Sequence, residues 1–199
     1  LPVALAITNS TISGNTASEG GALRLYGGAS ATFIHSTIAD NTATTAPGIS
    51  NGANGTVTFT NTIMANGCVA AGAPAVFNDG GGSITTDATC GIAPVVAAPG
   101  LAGLADNGGP TQTRALTAGS PALGIAASCA TTDQRGLPRA ATCDAGAYED
   151  GATVATISFS VDQATISESL AGTATVTATL TNTGGIGSGS VDVYFALTG

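Results

Sequence analysis

Apolar positions fall in short bursts along this chain. Near the start, Leu5, Ile7, Asn9 and Thr11 alternate with intervening residues as a strand does, and Ser13-Gly14-Asn15 then supplies a turn. A second apolar segment, Gly20-Gly21-Ala22-Leu23-Arg24-Leu25, ends at another glycine pair, Gly27-Gly28. The scheme then recurs. Asn-Ser-Thr-Ile-Ser-Gly-Asn at 9 to 15 returns as His-Ser-Thr-Ile-Ala-Asp-Asn at 35 to 41 and as Asn-Thr-Ile-Met-Ala-Asn at 61 to 66. The step from Ile12 to Ile38 exceeds that from Ile38 to Ile63 by a single position, and Asn15, Asn41 and Asn66 keep the same two intervals. Such self-similarity predicts stacked repeats, each made of two or three short strands joined by Gly/Asn corners.

If each repeat is one coil of a parallel β-helix, every strand pairs with its equivalent about 4.8 Å above and below. Identical residues then stack in ladders. Ile12, Ile38 and Ile63 are expected in the core, Thr11, Thr37 and Thr62 beside them, and Asn15, Asn41 and Asn66 at a corner, where Asn tolerates left-handed backbone. On this alignment the third repeat is one residue short before its Ile. The expected class is all-β: a short right-handed parallel β-helix over residues 1–67, an irregular disulfide-tied cap over 68–150, and a partial β-sandwich over 151–199.

In that last segment alternation is clean. Ile157, Phe159 and Val161 share a phase, as do Ala174, Val176, Ala178 and Leu180, and then Val191, Val193, Phe195 and Leu197. A Thr-Gly-Gly turn lies at 183 to 185. The strand bearing Val191, Val193, Phe195 and Leu197 is the candidate for pairing between chains. The first coil also opens without a cap, so both ends are expected to present unpaired strand edges.

Composition narrows the functions. Hydrophobic residues reach 43% but aromatic ones only 4%, so the core must be built from Ala, Val, Ile and Leu. Twelve acidic residues face four Arg and no Lys, a net charge of −8, which argues against nucleic acid or anionic lipid as partner. No apolar run is long enough to insert in a membrane as a helix. Cys68, Cys90, Cys129 and Cys143 permit three connectivities, and none forms a Cys-x-x-Cys pair. Bridges between sequence neighbours, 68 with 90 and 129 with 143, are expected, each worth roughly 2–4 kcal/mol. They imply an oxidising compartment.

The first repeat, with Gly-Gly-Ala after it, resembles right-handed parallel β-helices of the pectate-lyase-like superfamily. Residues 104–149 carry four further motifs: Leu104-Ala105-Asp106-Asn107-Gly108-Gly109-Pro110-Thr111-Gln112-Thr113, Gly119-Ser120-Pro121-Ala122, Thr132-Asp133-Gln134-Arg135-Gly136 with Pro138-Arg139, and Cys143-Asp144 with Gly146-Ala147 and Glu149. That ordered set is similar to bacterial surface proteins of the choice-of-anchor Q type. The resemblance implies an extracellular β-helix whose last coils are irregular and disulfide-tied. Residues 157–180 are similar to the start of Calx-beta or related immunoglobulin-like domains, and the Calx-beta resemblance would make Glu168 a calcium ligand.

No catalytic set is expected. Lyases on this fold need an acidic cation site and a base, and glycosidases need facing carboxylates. The coils offer only Glu19 and Asp40, in different columns, with Arg24 near. Asp133 with Arg135 reads as a local pair holding the cap, and Asp144, Glu149 and Asp150 as a weak cation candidate. The expected function is a non-enzymatic structural protein of the bacterial cell surface, secreted, pairing with copies of itself or with neighbouring segments of a longer protein. Adhesion to carbohydrate or a host surface is the alternative, and a polysaccharide lyase or hydrolase fragment the third reading. No cofactor is expected, calcium being the one candidate.

Overall fold

The computed structural model describes residues 3–153 and two strands beyond them, 156–161 and 176–181. The chain divides into two compact units, Leu1–Ala152 and Thr153–Gly199. In the first, one coil runs through β1 (Ala4–Thr8), β2 (Thr11–Ser13), β3 (Thr16–Glu19) and β4 (Leu23–Leu25). The second repeats it as β5 (Ser30–Ile34), β6 (Thr37–Ala39), β7 (Thr42–Thr45) and β8 (Ile49–Asn51). The third holds β9 (Thr56–Thr60), β10 (Ile63–Ala65) and β11 (Cys68–Ala70), and a fourth begins with β12 (Val76–Asp79) and β13 (Ile84–Thr85). Each strand pairs in parallel with its equivalent one coil away, giving sheets β1-β5-β9-β12, β2-β6-β10-β13, β4-β8-β11 and β3-β7. The all-β, parallel, coil-stacking expectation holds.

Inside the stack, Ile7, Phe33 and Phe59 occupy one column. The Phe33 and Phe59 rings stack at 5.6 Å between centroids, and Phe77 follows at 6.5 Å from Phe59. At the far end of the core, Cys90 and Ile92 are buried against the same cluster, and the Cys68–Cys90 bridge ties them there. This short lid, with a 3-10 turn at Ala88–Cys90, is the part of 68–150 that closes the core cross-section.

The isoleucine ladder needs correction. Ile12 does pair with Ile38, but Ile38 pairs with Met64, while Ile63 lies opposite Thr37 and Ile84. Thr62 likewise leaves the Thr11–Thr37 column. The missing residue of the third repeat therefore lies after Ala65, not before Ile63. Ser13, Ala39 and Ala65 are in register, and the next residue, Gly14 (φ +74°) or Asp40 (φ +55°), has no counterpart before Asn66. One residue of slip reverses which face a side chain takes, so Met64 enters the core and Ile63 points out.

Pointing out does not mean solvent. Ile63 and Ile84 are each 0% exposed, packed with Leu116, Ala122 and Ala145 in a second apolar cluster. The sheet β2-β6-β10-β13 is thus covered on its outer side by residues from 96 to 148, which include the antiparallel hairpin β14 (Leu101–Ala105) and β15 (Thr113–Leu116). The third coil is also shortened. The step from β9 to β12, Thr56 to Val76, is shorter than the step from β5 to β9, Ser30 to Thr56, because Asn66-Gly67 passes straight to β11 without a β3-like side.

In the second unit β16 (Thr156–Val161) and β17 (Val176–Thr181) are antiparallel, and the register sets Ile157 opposite Leu180, Phe159 opposite Ala178 and Val161 opposite Val176. The remainder of the expected sandwich, including Val191, Val193, Phe195, Leu197 and the calcium candidate Glu168, lies outside the described residues. Among the described residues no helix is long and apolar enough to cross a membrane.

Candidate functional site

Asp133, Arg135, Arg139, Asp144 and Glu149 are all buried where residues 126–149 run back along the flank of the coils. The surface they meet is a column of corners between the first two sheets. Asn9, His35 and Asn61 recur one full period apart with φ of +46°, +45° and +51°, a left-handed turn that Asn and His adopt more readily than most side chains. Each corner carries a polar group toward the returning segment. Asn9 Nδ2 donates to the Thr132 carbonyl at 2.8 Å, Asn61 Nδ2 to that of Ser128 at 2.7 Å, and Asn61 Oδ1 accepts from the Ala127 N–H at 2.7 Å. His35 Nε2 lies 2.8 Å from the Ser128 carbonyl. Thr37 Oγ1 accepts from the Ala147 N–H at 3.0 Å, and Thr11 Oγ1 donates to Gln134 Oε1 at 2.6 Å. The segment is a strap across three coils as well as an end piece, and its Cys129–Cys143 bridge closes it into a loop.

Five charges hold the strap's own shape. Asp133 accepts from the Arg135 N–H and Nε, both at 2.8 Å, and from the Leu137 and Glu149 N–H groups at 3.1 Å. Arg135 Nη2 donates to the Glu149 carbonyl at 2.6 Å, and its guanidinium stacks 3.7 Å from the centre of the Tyr148 ring. Arg139 pairs with Glu149 at 3.0 Å and donates to the carbonyls of Asp144 and Gly146 and to Asn9 Oδ1. Glu149 also accepts from the Ala140 and Asp144 N–H groups at 3.0 and 2.9 Å. Asp144 takes the N–H groups of Gly124 and Asp150. With their oxygens occupied by N–H donors, Asp144 and Glu149 do not converge on a cation position. Among the described residues no group of three His, Cys, Asp or Glu side chains is arranged to hold a metal.

Comparison with family models, with curated proteins and with solved structures returns no match. The chemistry of the chain therefore rests on these groups themselves.

Other residues singled out in the sequence are dispersed. Asn15, Asn41 and Asn66 form the corner ladder: Asn15 Nδ2 donates to Asn41 Oδ1 at 2.9 Å, and Asn41 Nδ2 to Asn66 Oδ1 at 3.1 Å. Glu19 pairs with Arg24 and accepts from Ser50 Oγ at 2.6 Å, while Asp40 pairs with Arg114, so the two coil carboxylates do not meet. Of the tyrosines, Tyr148 lies under Arg135 and Tyr26 is exposed beside Arg24; Tyr194 is outside the described residues. The sequence does not point to His35, Asn61 or Arg114 as docking residues. The periodic recurrence of Asn9, His35 and Asn61 is the available signal, but the shorter Ile interval masks it. The two disulfides fit an oxidising, non-cytosolic setting.

Burial in the network moves protonation. Burial first, and then the Arg139 guanidinium, hold His35 below its ordinary 6.5, with the Ser128 carbonyl opposing. Burial, reinforced by Asp144, pushes Glu149 up, against the N–H donors and Arg139. For His35 the unfolded chain binds more protons between the lowered value and 6.5, so stability falls as pH drops through that window. Glu149 has the opposite sign: its folded form takes up a proton more readily, so it favours the fold as pH falls. His35→Asn, the residue found at 9 and 61, should therefore remove an acid-labile component and leave the Glu149 contribution. Urea midpoints from about pH 7 to 5 would check this, since wild type should lose more stability on acidification than the variant.

Proposed function

We propose that this chain is a non-enzymatic structural element of an extracellular bacterial surface, a scaffold that extends by strand-edge pairing with further coils. The carrying observation is the outer edge of the first coil. Among the described residues β1, β2 and β4 stand at the margins of their sheets, and β1 is largely exposed where its equivalent β5 is alternately buried. That edge presents the columns that the second coil already accepts, Leu5 on Ala31, Ile7 on Phe33 and Ile12 on Ile38. An edge of this kind is a template for one more coil, from a second copy or from a neighbouring segment of a longer chain.

The strap supports the same reading. Its carboxylates and guanidiniums are engaged with one another and with main-chain groups, which suits a clamp rather than an acid–base pair facing a substrate. The bacterial surface setting draws on the sequence resemblance and on the disulfides. The net charge of −8 leaves nucleic acid a poor partner, and the scaffold as proposed needs no cofactor.

Sedimentation and electron microscopy across a concentration series test the pairing. Wild type should assemble as concentration rises, and Leu5→Lys, a charge on the exposed edge, should stay monomeric. A wild-type monomer at every concentration would overturn self-assembly. Turnover of any polysaccharide by the pure chain would overturn the non-enzymatic reading.

A further inference from the structure

A cleft of about 310 Å³ opens beside the corner where the third coil lacks a residue. Its lining includes Ala39 and Ala65 at the ends of β6 and β10, together with Thr86, Pro99, Asp40 and Arg114. Two of these groups, Arg114 and Asp40, differ from the charges of the strap. The Arg114 side chain is only 10% exposed, yet it is not saturated as Arg135 and Arg139 are. Its Nε donates to the Ala102 carbonyl at 2.8 Å and its Nη1 to Asp40 Oδ2, and among the described residues Nη2 has no hydrogen-bond partner. Asp40 is 68% exposed on a left-handed backbone, and its Oδ1 is likewise free among the described residues. A donor and an acceptor therefore stand side by side at a cleft lined by methyl groups and a proline ring.

We infer that this cleft binds a neutral sugar through two adjacent ring hydroxyls. One hydroxyl accepts from Arg114 Nη2 and its neighbour donates to Asp40 Oδ1, while the apolar face of the ring lies on Ala39, Ala65 and Pro99. Charge matching selects the class. The Arg114 cation is already balanced by Asp40, so the cleft offers an anionic ligand no net positive charge, and the chain around it carries −8. A neutral diol needs both partners in their present states and leaves the ion pair intact. Pockets that hold small ligands combine an apolar lining with a few placed polar groups in this way. The site is independent of the coil edge and of the strap clamp.

The test is a backbone amide NMR titration of the full chain with methyl α-mannopyranoside, galacturonate and inorganic phosphate in turn. The mannoside should give saturable shifts centred on Asp40, Thr86, Gly100, Leu101 and Arg114, with galacturonate and phosphate at least about tenfold weaker. Ala65→Phe fills the cleft without touching the ion pair and should abolish the shifts, as should Arg114→Gln. Asp40→Asn, which removes the repelling charge, should strengthen galacturonate binding. If Arg114→Gln fails to fold, the Ala65 and Asp40 variants still decide the question. Absence of saturable mannoside shifts at the cleft, persistence of those shifts in Ala65→Phe, equal binding of galacturonate to wild type, or no gain in Asp40→Asn would each overturn the proposal.

Discussion

Glu149→Ala should destabilise the first unit by about 3–5 kcal/mol, because it strands a buried cation. The Arg139 side chain is 0% exposed and its carboxylate partner 2%. Burial already presses the Arg139 pKa downward, with Glu149 the chief counterweight. The same substitution removes the acceptor for the Asp144 and Ala140 N–H groups, so two main-chain donors lose their partners as well. Denaturant unfolding measures the loss. Glu149→Leu with Arg139→Met should recover part of it, since removing both charges avoids the unpaired one, though the carbonyls of Asp144 and Gly146 would remain without the guanidinium. A single-variant cost under about 1 kcal/mol would mean that water reaches the pair and that the network is not a clamp.

The second large effect belongs to the coil core. Phe59 is 0% exposed, between the rings of Phe33 and Phe77, in a core whose remaining side chains are aliphatic or sulfur-bearing. Phe59→Ala should cost about 3–5 kcal/mol, from lost transfer energy and an unfilled cavity. Thermal unfolding followed by circular dichroism would show it. A loss near that of an exposed substitution would place the aromatic column outside the cooperative core.

These two sites divide what was legible in the chain from what was not. The Phe59 column follows from alternation and period, since Phe33 and Phe59 stand one coil apart and an inward position repeats. The Asn15–Asn41–Asn66 ladder follows from the same rule. Ile63 does not. Its phase depends on which side of the strand the missing residue lies, and both placements preserve a similar motif. Only the pairing register separates them. Met64, the chain's one methionine, holds the core position that the motif reserved for isoleucine. The Arg139–Glu149 knot was legible as motif residues but its docking on the coils was not, because the hydrogen bonds from Asn9 to Thr132 and from Arg139 to Asn9 join positions 123 and 130 residues apart. Local pattern carries no information at that range.

Those separations bear on the order in which the chain can become rigid. Coil-to-coil contacts link residues about one period apart and can form as each new coil emerges from synthesis. The strap's bonds to Asn9, His35 and Asn61 span 123, 93 and 67 residues and cannot form until the strap itself is available. Closing loops of that length is slow relative to local pairing. Until then the outward faces of Ile63 and Ile84 stay uncovered. A half-emerged chain is therefore a stack of coils with one greasy wall, and the interval before the strap arrives is when it is most exposed to wrong partners.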